Sequence, residues 1–461
     1  MQLRDLFVFM VVAVATPLSL AVPFAGLLCF SWLAYMRPQD LCWGFARTMQ
    51  FSFAVGMTMM LGWLFSDAGR RPFMRWDVRT KLMVALVLST TVSLVMATNQ
   101  DPYVQTRYVE YLKLVAVALF TTGQVDSRRR LKLLLWTIAL SLGFFGIKGG
   151  FHGLMSGGSP ILRGPGGMLE DNNDFALALT MSLPMLLYLG FLEKSRWVHR
   201  VCIVATGLTM LTILLTHSRG GFLSMCVVLG VFFWRSKQRW IALGVMLLLV
   251  VAFFQFAPQH VIDRIYSIGD SSDSSAHSRL TSWAIALRMI GAFPVWGVGL
   301  RNFQDHYHEF AQGLVPGSGF AFVAHNSYLQ IWAEGGTVAF VLYIALLVAC
   351  FWTLRRLRLA SRRVPGADWI FNYSRMFEAT MAGFVVGSVF LNRGHFDLIY
   401  HLFGIITAFQ LIAWRWMAQP VGEREGDLVF ADEFRPLVIA GSRLGQARDG
   451  PGLRSLPRWG R

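Results

Sequence analysis

About a dozen apolar runs of roughly membrane-spanning length punctuate this chain, and the loops between them alternate in charge. The runs lie near 7–36, 49–66, 81–98, 106–123, 130–148, 173–193, 198–216, 219–235, 238–256, 327–353, 376–391 and 399–417. A helix needs roughly 20 apolar residues to cross the hydrocarbon of a bilayer. The pattern therefore predicts an all-α polytopic membrane protein of about twelve transmembrane helices. Composition agrees: 55% hydrophobic and 15% charged residues exclude an ordinary soluble domain of 461 residues. The first run holds Pro17 and Pro23 and reads either as one kinked span or as a short hairpin. No cleavage site follows it, so it is expected to stay as an anchor.

Charge orients these spans. Basic residues gather at Arg70–Lys81, Arg128–Lys132, Lys194–Arg200, Arg235–Arg239 and Arg355–Arg363, which is every second loop. The positive-inside rule places those loops in the cytoplasm. If 7–36 is one span, the N-terminus and the C-terminus both fall on that side. The net charge of +16 then reads as anchoring against anionic membrane lipids, with no nucleic acid implied. Of five cysteines, Cys29, Cys202, Cys226 and Cys350 fall within apolar runs and Cys42 stands alone in a loop, so no disulfide framework is expected.

Two outward loops are long. One, about 149–172, is rich in glycine; the other, about 257–326, is large enough for a helical subdomain. The expected organisation is N-terminal transmembrane helices over 1–256, the subdomain over 257–326, C-terminal transmembrane helices over 327–421 and a Gly/Arg/Pro-rich, disordered cytoplasmic tail over 422–461. Within the large loop, Ser278 to Ile290 predicts a helix stopped by Pro294. Leu280, Trp283, Ala284, Leu287 and Ile290 share one face of it.

Arginine on the outward side runs against the usual charge bias, and holding a phosphate is a good reason for it. Arg219 lies in the turn Thr216-His217-Ser218-Arg219-Gly220-Gly221, Arg279 opens the helix in the large loop, and Arg163 sits in the glycine-rich loop. Each also has a bland reading, as an arginine that snorkels to headgroups or is simply solvated at a helix start. His325 opens the next span, where Asn326 or Ser327 can cap the helix. The positive end of a helix favours the neutral imidazole needed to accept a proton, although a lone interfacial histidine is more often structural. Glu334-Gly335-Gly336 is a polar and flexible patch inside that span. Glu170, Asp171 and Asp174 have the chemistry of a metal site, but without D-x-D spacing; capping of the next span by Asn172 or Asn173 is the simpler account. His306, His308 and Glu309 resemble metal ligands in type, a pattern that a solvated amphipathic helix also gives. Lys148, Arg393 and His395 are polar residues without an assigned task.

The series T-H-S-R-G-G, S-R-L-T-S-W-A-I-A-L, P-V-W-G-V-G-L-R-N-F and H-N-S-Y-L-Q-I-W-A-E-G-G resembles the superfamily of O-antigen ligases, O-antigen polymerases and bacterial protein O-oligosaccharyltransferases. The resemblance covers about 200–350, and G-I-K-G-G-F-H-G with G-P-G-G-M-L-E-D-N-N-D looks like its branch of O-glycosylation ligases. It implies a membrane-embedded, GT-C-like, inverting and metal-independent glycosyltransferase of a Gram-negative inner membrane, with its active site facing the periplasm and no cofactor. The implied donor is an undecaprenyl-diphosphate-linked O-antigen. In a ligase the acceptor is a sugar hydroxyl of lipid A–core oligosaccharide. Carried over residue by residue, Arg219 and Arg279 hold the diphosphate, with Arg163 as a third, and His325 is the catalytic residue. Asn326, Glu170, Asn172 and Lys148 are expected in supporting positions. A polymerase or protein O-oligosaccharyltransferase would use the same donor and residues, and the ligase is favoured by a single outward subdomain. A lipid-linked glycan transporter would instead place its charges near the bilayer midplane and show repeat symmetry, and neither is seen.

Overall fold

Local capping chemistry sets the helix boundaries over residues 3–65, 71–234, 274–314 and 321–420, which the computed structural model describes. The expected span at 238–256, residues 257–273 of the large loop and the tail over 422–461 lie outside the described residues. In chain order the helices are α1 (Leu3–Ala21), α2 (Pro23–Tyr35), α3 (Phe51–Phe65), α4 (Val78–Val95), α5 (Pro102–Gln124), α6 (Arg128–Met155) and α7 (Asn172–Leu192). They continue with α8 (Arg196–Leu215), α9 (Arg219–Trp234), α10 (Ser274–Ala292), α11 (Tyr307–Phe310), α12 (Ser327–Ser361), α13 (Asp368–Gly387) and α14 (Asp397–Ala418). Asp77 and Thr80 form a capping box on α4, and Asp101 accepts from the Val104 N–H at 2.8 Å to start α5 at a proline.

Seven helices are long and apolar enough to cross a membrane: α1, α4, α6, α7, α8, α12 and α14. Helices α2, α3 and α9 are apolar but shorter. The runs at 106–123 and 376–391 are helical as well, within or beside α5 and α13. Those helices carry Arg107, Glu110 and Lys113, and Asp368, Arg375 and Glu378, and fall short of the apolarity of the seven. The polytopic helical class therefore holds, with seven clear spans among the described residues. Helices α7 and α14 are central, with 83% and 78% of their apolar windows buried inside the protein.

The N-terminal run is a hairpin. Asp5 near the start of α1 accepts from the Gly44 and Ala46 N–H groups, both at 3.1 Å, just beyond the end of α2. At the other end, the Ser19 and Leu20 carbonyls press on Gly62 of α3. Two antiparallel helices thus replace a single kinked span, because Val22 leaves helical geometry (φ −132°, ψ 87°) and Pro23 starts a new helix. Arg37, just past α2, packs against Gly167 of the glycine-rich loop. The start of α1 therefore lies at the same end of the hairpin as Arg37.

Among the described residues, the basic loops at 71–81, 128–132, 194–200 and 355–363 share one face. Arg71 and Arg130 pair with Asp126 at 2.9 and 3.6 Å, Lys132 with Glu193 at 2.8 Å, and Arg358 with Glu378 at 3.0 Å. The opposite face holds the ends of α4 and α6, the starts of α5, α7, α9, α12 and α14, and the segment around α10 and α11. The described part of the large loop has a small core of Ile285, Met289, Val298, Phe303 and Tyr307. Helix α10 forms where predicted, but its buried face is Ser282, Ile285, Ala286, Met289 and Ile290, while Leu280 and Leu287 are 61% and 56% exposed. A chain read as membrane-spanning can leave leucine at its surface, so the apolar stripe does not identify the packed one.

Two glycine sites shape this face. Helix α6 runs to Met155, so Gly149 and Gly150 are helical and not part of a loop. A Cβ on Gly150 would meet the Leu208 carbonyl oxygen of α8 at 2.3 Å. Helix α12 breaks at Gly336 (φ 70°, ψ −177°), and residues 294–299 run along the break. There Val298 N–H donates to Ala333 O at 2.9 Å, Gly299 N–H to Glu334 O at 3.0 Å and Thr337 N–H to Pro294 O at 2.8 Å. Backbone groups freed by the break are thus satisfied by the protein itself, as a membrane requires.

Candidate active site

The first turn of α7 gathers the outward motifs. Asp171 caps it, accepting from the Asn173 and Asp174 N–H groups at 2.8 and 3.4 Å, so the cap is Asp171 and not Asn172 or Asn173. The two asparagines reach sideways instead. Asn172 Nδ2 donates to Thr216 O at 2.7 Å, and Ser218 Oγ donates to Asn173 Oδ1 at 2.8 Å. Both bonds fasten the Thr216–Gly221 turn to α7, with His217 in a left-handed conformation at φ 54°. Arg219, half-buried, follows as the first residue of α9. Side chains too short to flex far hold this turn, which fixes where the arginine starts.

The His325 turn is fastened from the other side. Asn326 caps α12, its side-chain oxygen accepting from Tyr328 N–H at 3.0 Å and Leu329 N–H at 3.1 Å. Ser327 N–H donates to Ser388 O at 2.8 Å, Ser327 Oγ donates to Leu391 O at 2.6 Å, and Arg393 N–H donates to Ser327 Oγ at 2.8 Å. The Arg393 guanidinium then pairs with the Asp174 carboxylate, closing the circuit back to α7. His325 itself sits at φ 49°, a backbone region that costs a residue with a Cβ on the order of 1 kcal/mol or more and persists where surroundings impose it. Replacing Asn326 by Ala is expected to cost about 1 kcal/mol and to loosen this turn. Thermal unfolding of the purified protein would read that loss, and Asn326→Asp, which can still cap, should recover most of it.

Electrostatics join the predicted residues. Burial holds the His325 imidazole below its ordinary pKa, the Arg279 charge pushes it the same way, and Asp171 opposes. The neutral imidazole expected from a helix end is therefore favoured mainly by desolvation and by Arg279. Arg163 is exposed and meets Asp171 in an isolated antiparallel bridge, beside Gly164 N–H donating to Glu170 O at 2.8 Å. The structure thus groups Arg279, His325 and Asp171, and attaches Arg219 and Arg163 to the same turn of α7. Lys148 is exposed on α6, and no hydrogen bond or ion pair among the described residues ties it to the group. His306 is occupied structurally, bonded to Thr98 Oγ1 at 2.9 Å and to Glu309 Oε2 at 2.8 Å, and no cluster of metal-ligating side chains occurs among the described residues.

A cavity of ≈ 640 Å³ opens on the same face, and sequence reasoning missed it. Glu170 lines it, together with Arg37, Arg107, Arg301, Arg393 and His395. His395 is held neutral by burial and by Arg301, its pKa pushed down to about 3. Three charges within the run at 106–123, Arg107, Glu110 and Lys113, were the available signal, since charge inside a predicted span faces a cavity or a partner.

Comparison with known proteins divides the chain in two. Residues 204–344 match the family model described as O-antigen ligase, a segment that holds Arg219, Arg279 and His325. Residues 3–174 match a family of unknown function (DUF5935). An uncharacterized protein of Haemophilus influenzae is 26% identical over 176 residues, 33% of this chain and 43% of that protein. The chain thus spans less than half the length of this curated relative.

Proposed function

We propose, from the membership of this chain in the O-antigen ligase superfamily, that it is an O-antigen ligase. It moves a glycan from undecaprenyl diphosphate to a sugar hydroxyl of lipid A–core oligosaccharide, inverting the anomeric centre without a metal. The observation that supports this reading is the His325 turn, clamped at both ends, whose imidazole feels the charges of Arg279 and Asp171. The positive-inside rule makes the face opposite the basic loops periplasmic in an inner membrane.

In this mechanism the acceptor oxygen bonds to the anomeric carbon as the bond from that carbon to the phosphate oxygen breaks. The acceptor proton passes to the neutral His325 imidazole. The diphosphate departs with added negative charge, and Arg219 and Arg279 neutralise it, with Arg163 as a third cation at the rim. Fixed cations aimed at developing charge act strongly in a water-poor site, and a single such donor can contribute about 3 kcal/mol. One displacement gives inversion, so no protein nucleophile is needed. Asp171 and Asn172 hold the loops that carry these groups. Glu170 faces the neighbouring cavity, and the lipid tail leaves sideways into the bilayer.

The test is transfer from the purified lipid-linked donor to lipid A–core in the presence of EDTA. Wild type should transfer, and Arg279→Ala and His325→Ala should each lose most activity at normal expression. Elongation of the donor glycan, or labelling of a protein with no transfer to lipid A–core, would assign a sister activity of the superfamily. Variants as active as wild type would remove the site.

A further inference from the structure

The ≈ 640 Å³ chamber beside the His325 turn is within the ~300–1,000 Å³ range of small-ligand sites. Its walls come from α2, α5, the start of α14 and four loops, so most of it is built outside residues 204–344. Charge accounting decides what it suits. Three of its five cations have carboxylate partners: Arg37 pairs with Asp40, Arg107 with Glu110 at 2.8 Å, and Arg393 with Asp174; of the other two, Arg301 acts electrostatically on the buried Glu334 and Lys113 lies over the Phe53 ring at 5.7 Å. A pocket built for a bare diphosphate would present mostly unpaired cations, whereas here most of the guanidinium groups sit against carboxylates. Paired guanidinium and carboxylate groups instead present donors and acceptors side by side, which is what sugar hydroxyls need. Tyr35, Tyr103 and Tyr111 add ring faces and hydroxyls, and Arg107 lies over the Tyr103 ring at 5.1 Å. The wall is too polar for a polyprenyl tail.

The chamber also adjoins the chemistry. Arg393 lines it and donates its N–H to Ser327, two residues from His325, while Glu170 lines it next to Asp171. We infer that this chamber is an oligosaccharide subsite, holding sugar units that extend from the reacting centre at His325. This rests on the proposed transferase reading. It assigns a task to the N-terminal half of the chain.

The test labels a cysteine placed at Arg107, a partly exposed wall residue, in the full-length His325→Ala protein so that substrate is not consumed. Native Cys226, which is exposed, is replaced by Ser. Three probes are compared: undecaprenyl diphosphate carrying its O-antigen repeat, bare undecaprenyl diphosphate, and lipid A–core oligosaccharide. At about ten times the dissociation constant, simple occupancy slows maleimide labelling about tenfold. Protection by the glycan-bearing donor or by the core oligosaccharide, and not by the bare lipid diphosphate, is expected, and the protecting probe names the source of the sugar. Equal protection by bare undecaprenyl diphosphate would make the chamber a lipid-phosphate site and overturn the inference. Absence of protection by any probe overturns it too. Transfer by the wild-type protein, measured in parallel, separates the two readings: transfer without protection removes the chamber alone, and protection without transfer removes the ligase.

Discussion

His325→Ala is expected to lower kcat by roughly 10²–10⁴-fold, the usual worth of a positioned general base, with little change in the KM of the donor. Its pH dependence makes the prediction specific. The imidazole must be neutral to accept the proton, and burial together with Arg279 holds its pKa below the ordinary 6.5. Wild-type kcat should therefore stay high down through pH 6.5 and fall only when the imidazole protonates at lower pH. Removing the positive charge with Arg279→Gln makes the imidazolium easier to form, so the acid limb moves to higher pH. Removing the opposing negative charge with Asp171→Asn, which keeps a capping side chain, moves it to lower pH. Opposite shifts from two substitutions are hard to produce by general damage. A pH profile that neither substitution moves, or a His325→Ala enzyme retaining the wild-type profile, would end the case for His325 as the base.

The sequence made the helical class and the motif positions legible because hydropathy and charge bias are local quantities. The start of α12 and of α10 could be read from the same kind of signal, with Asn326 as the cap and Pro294 beyond the helix end. What the sequence left hidden depends on pairing across the fold. The choice between one span and a hairpin at 7–36 turned on Asp5 binding Gly44 and Ala46, residues about forty positions away. The link between Arg393 and Asp174 joins α7 to the last outward loop, so neither residue could be given a task from its neighbours in the chain. The chamber is the extreme case. Arg37, Arg107 and Arg301 come from three distant segments, and each alone reads as an interfacial cation. Conversely, the carboxylates at Glu170, Asp171 and Asp174 looked like metal ligands because they are adjacent, yet they point to a cavity, a helix cap and an arginine.

Gly336→Ala is expected to destabilise the protein by on the order of 4 kcal/mol or more, the range of the severest single substitutions. Two costs combine. With φ 70° and ψ −177°, residue 336 occupies a backbone region essentially reserved for glycine. A Cβ there would also stand 2.0 Å from the Val295 carbonyl oxygen and 2.5 Å from the Trp296 nitrogen, backbone atoms that cannot rotate away. Relieving the overlap means pushing residues 294–299 off α12, which breaks their three backbone bonds to it and strands polar groups in a buried site. Gly335→Ala is the control: its Cβ would meet the Ala339 side chain at 2.6 Å, without a positive φ, and should cost less. Thermal unfolding in detergent would compare the two. The break lies about 14 Å along the axis from the start of α12, at 1.5 Å per residue. Even so, transfer should fall in whatever Gly336→Ala protein still folds, because the segment it displaces ties α10, which carries Arg279, to α12, which follows His325. A Gly336→Ala enzyme as stable and active as the Gly335→Ala control would mean that the broken helix does not hold the site together.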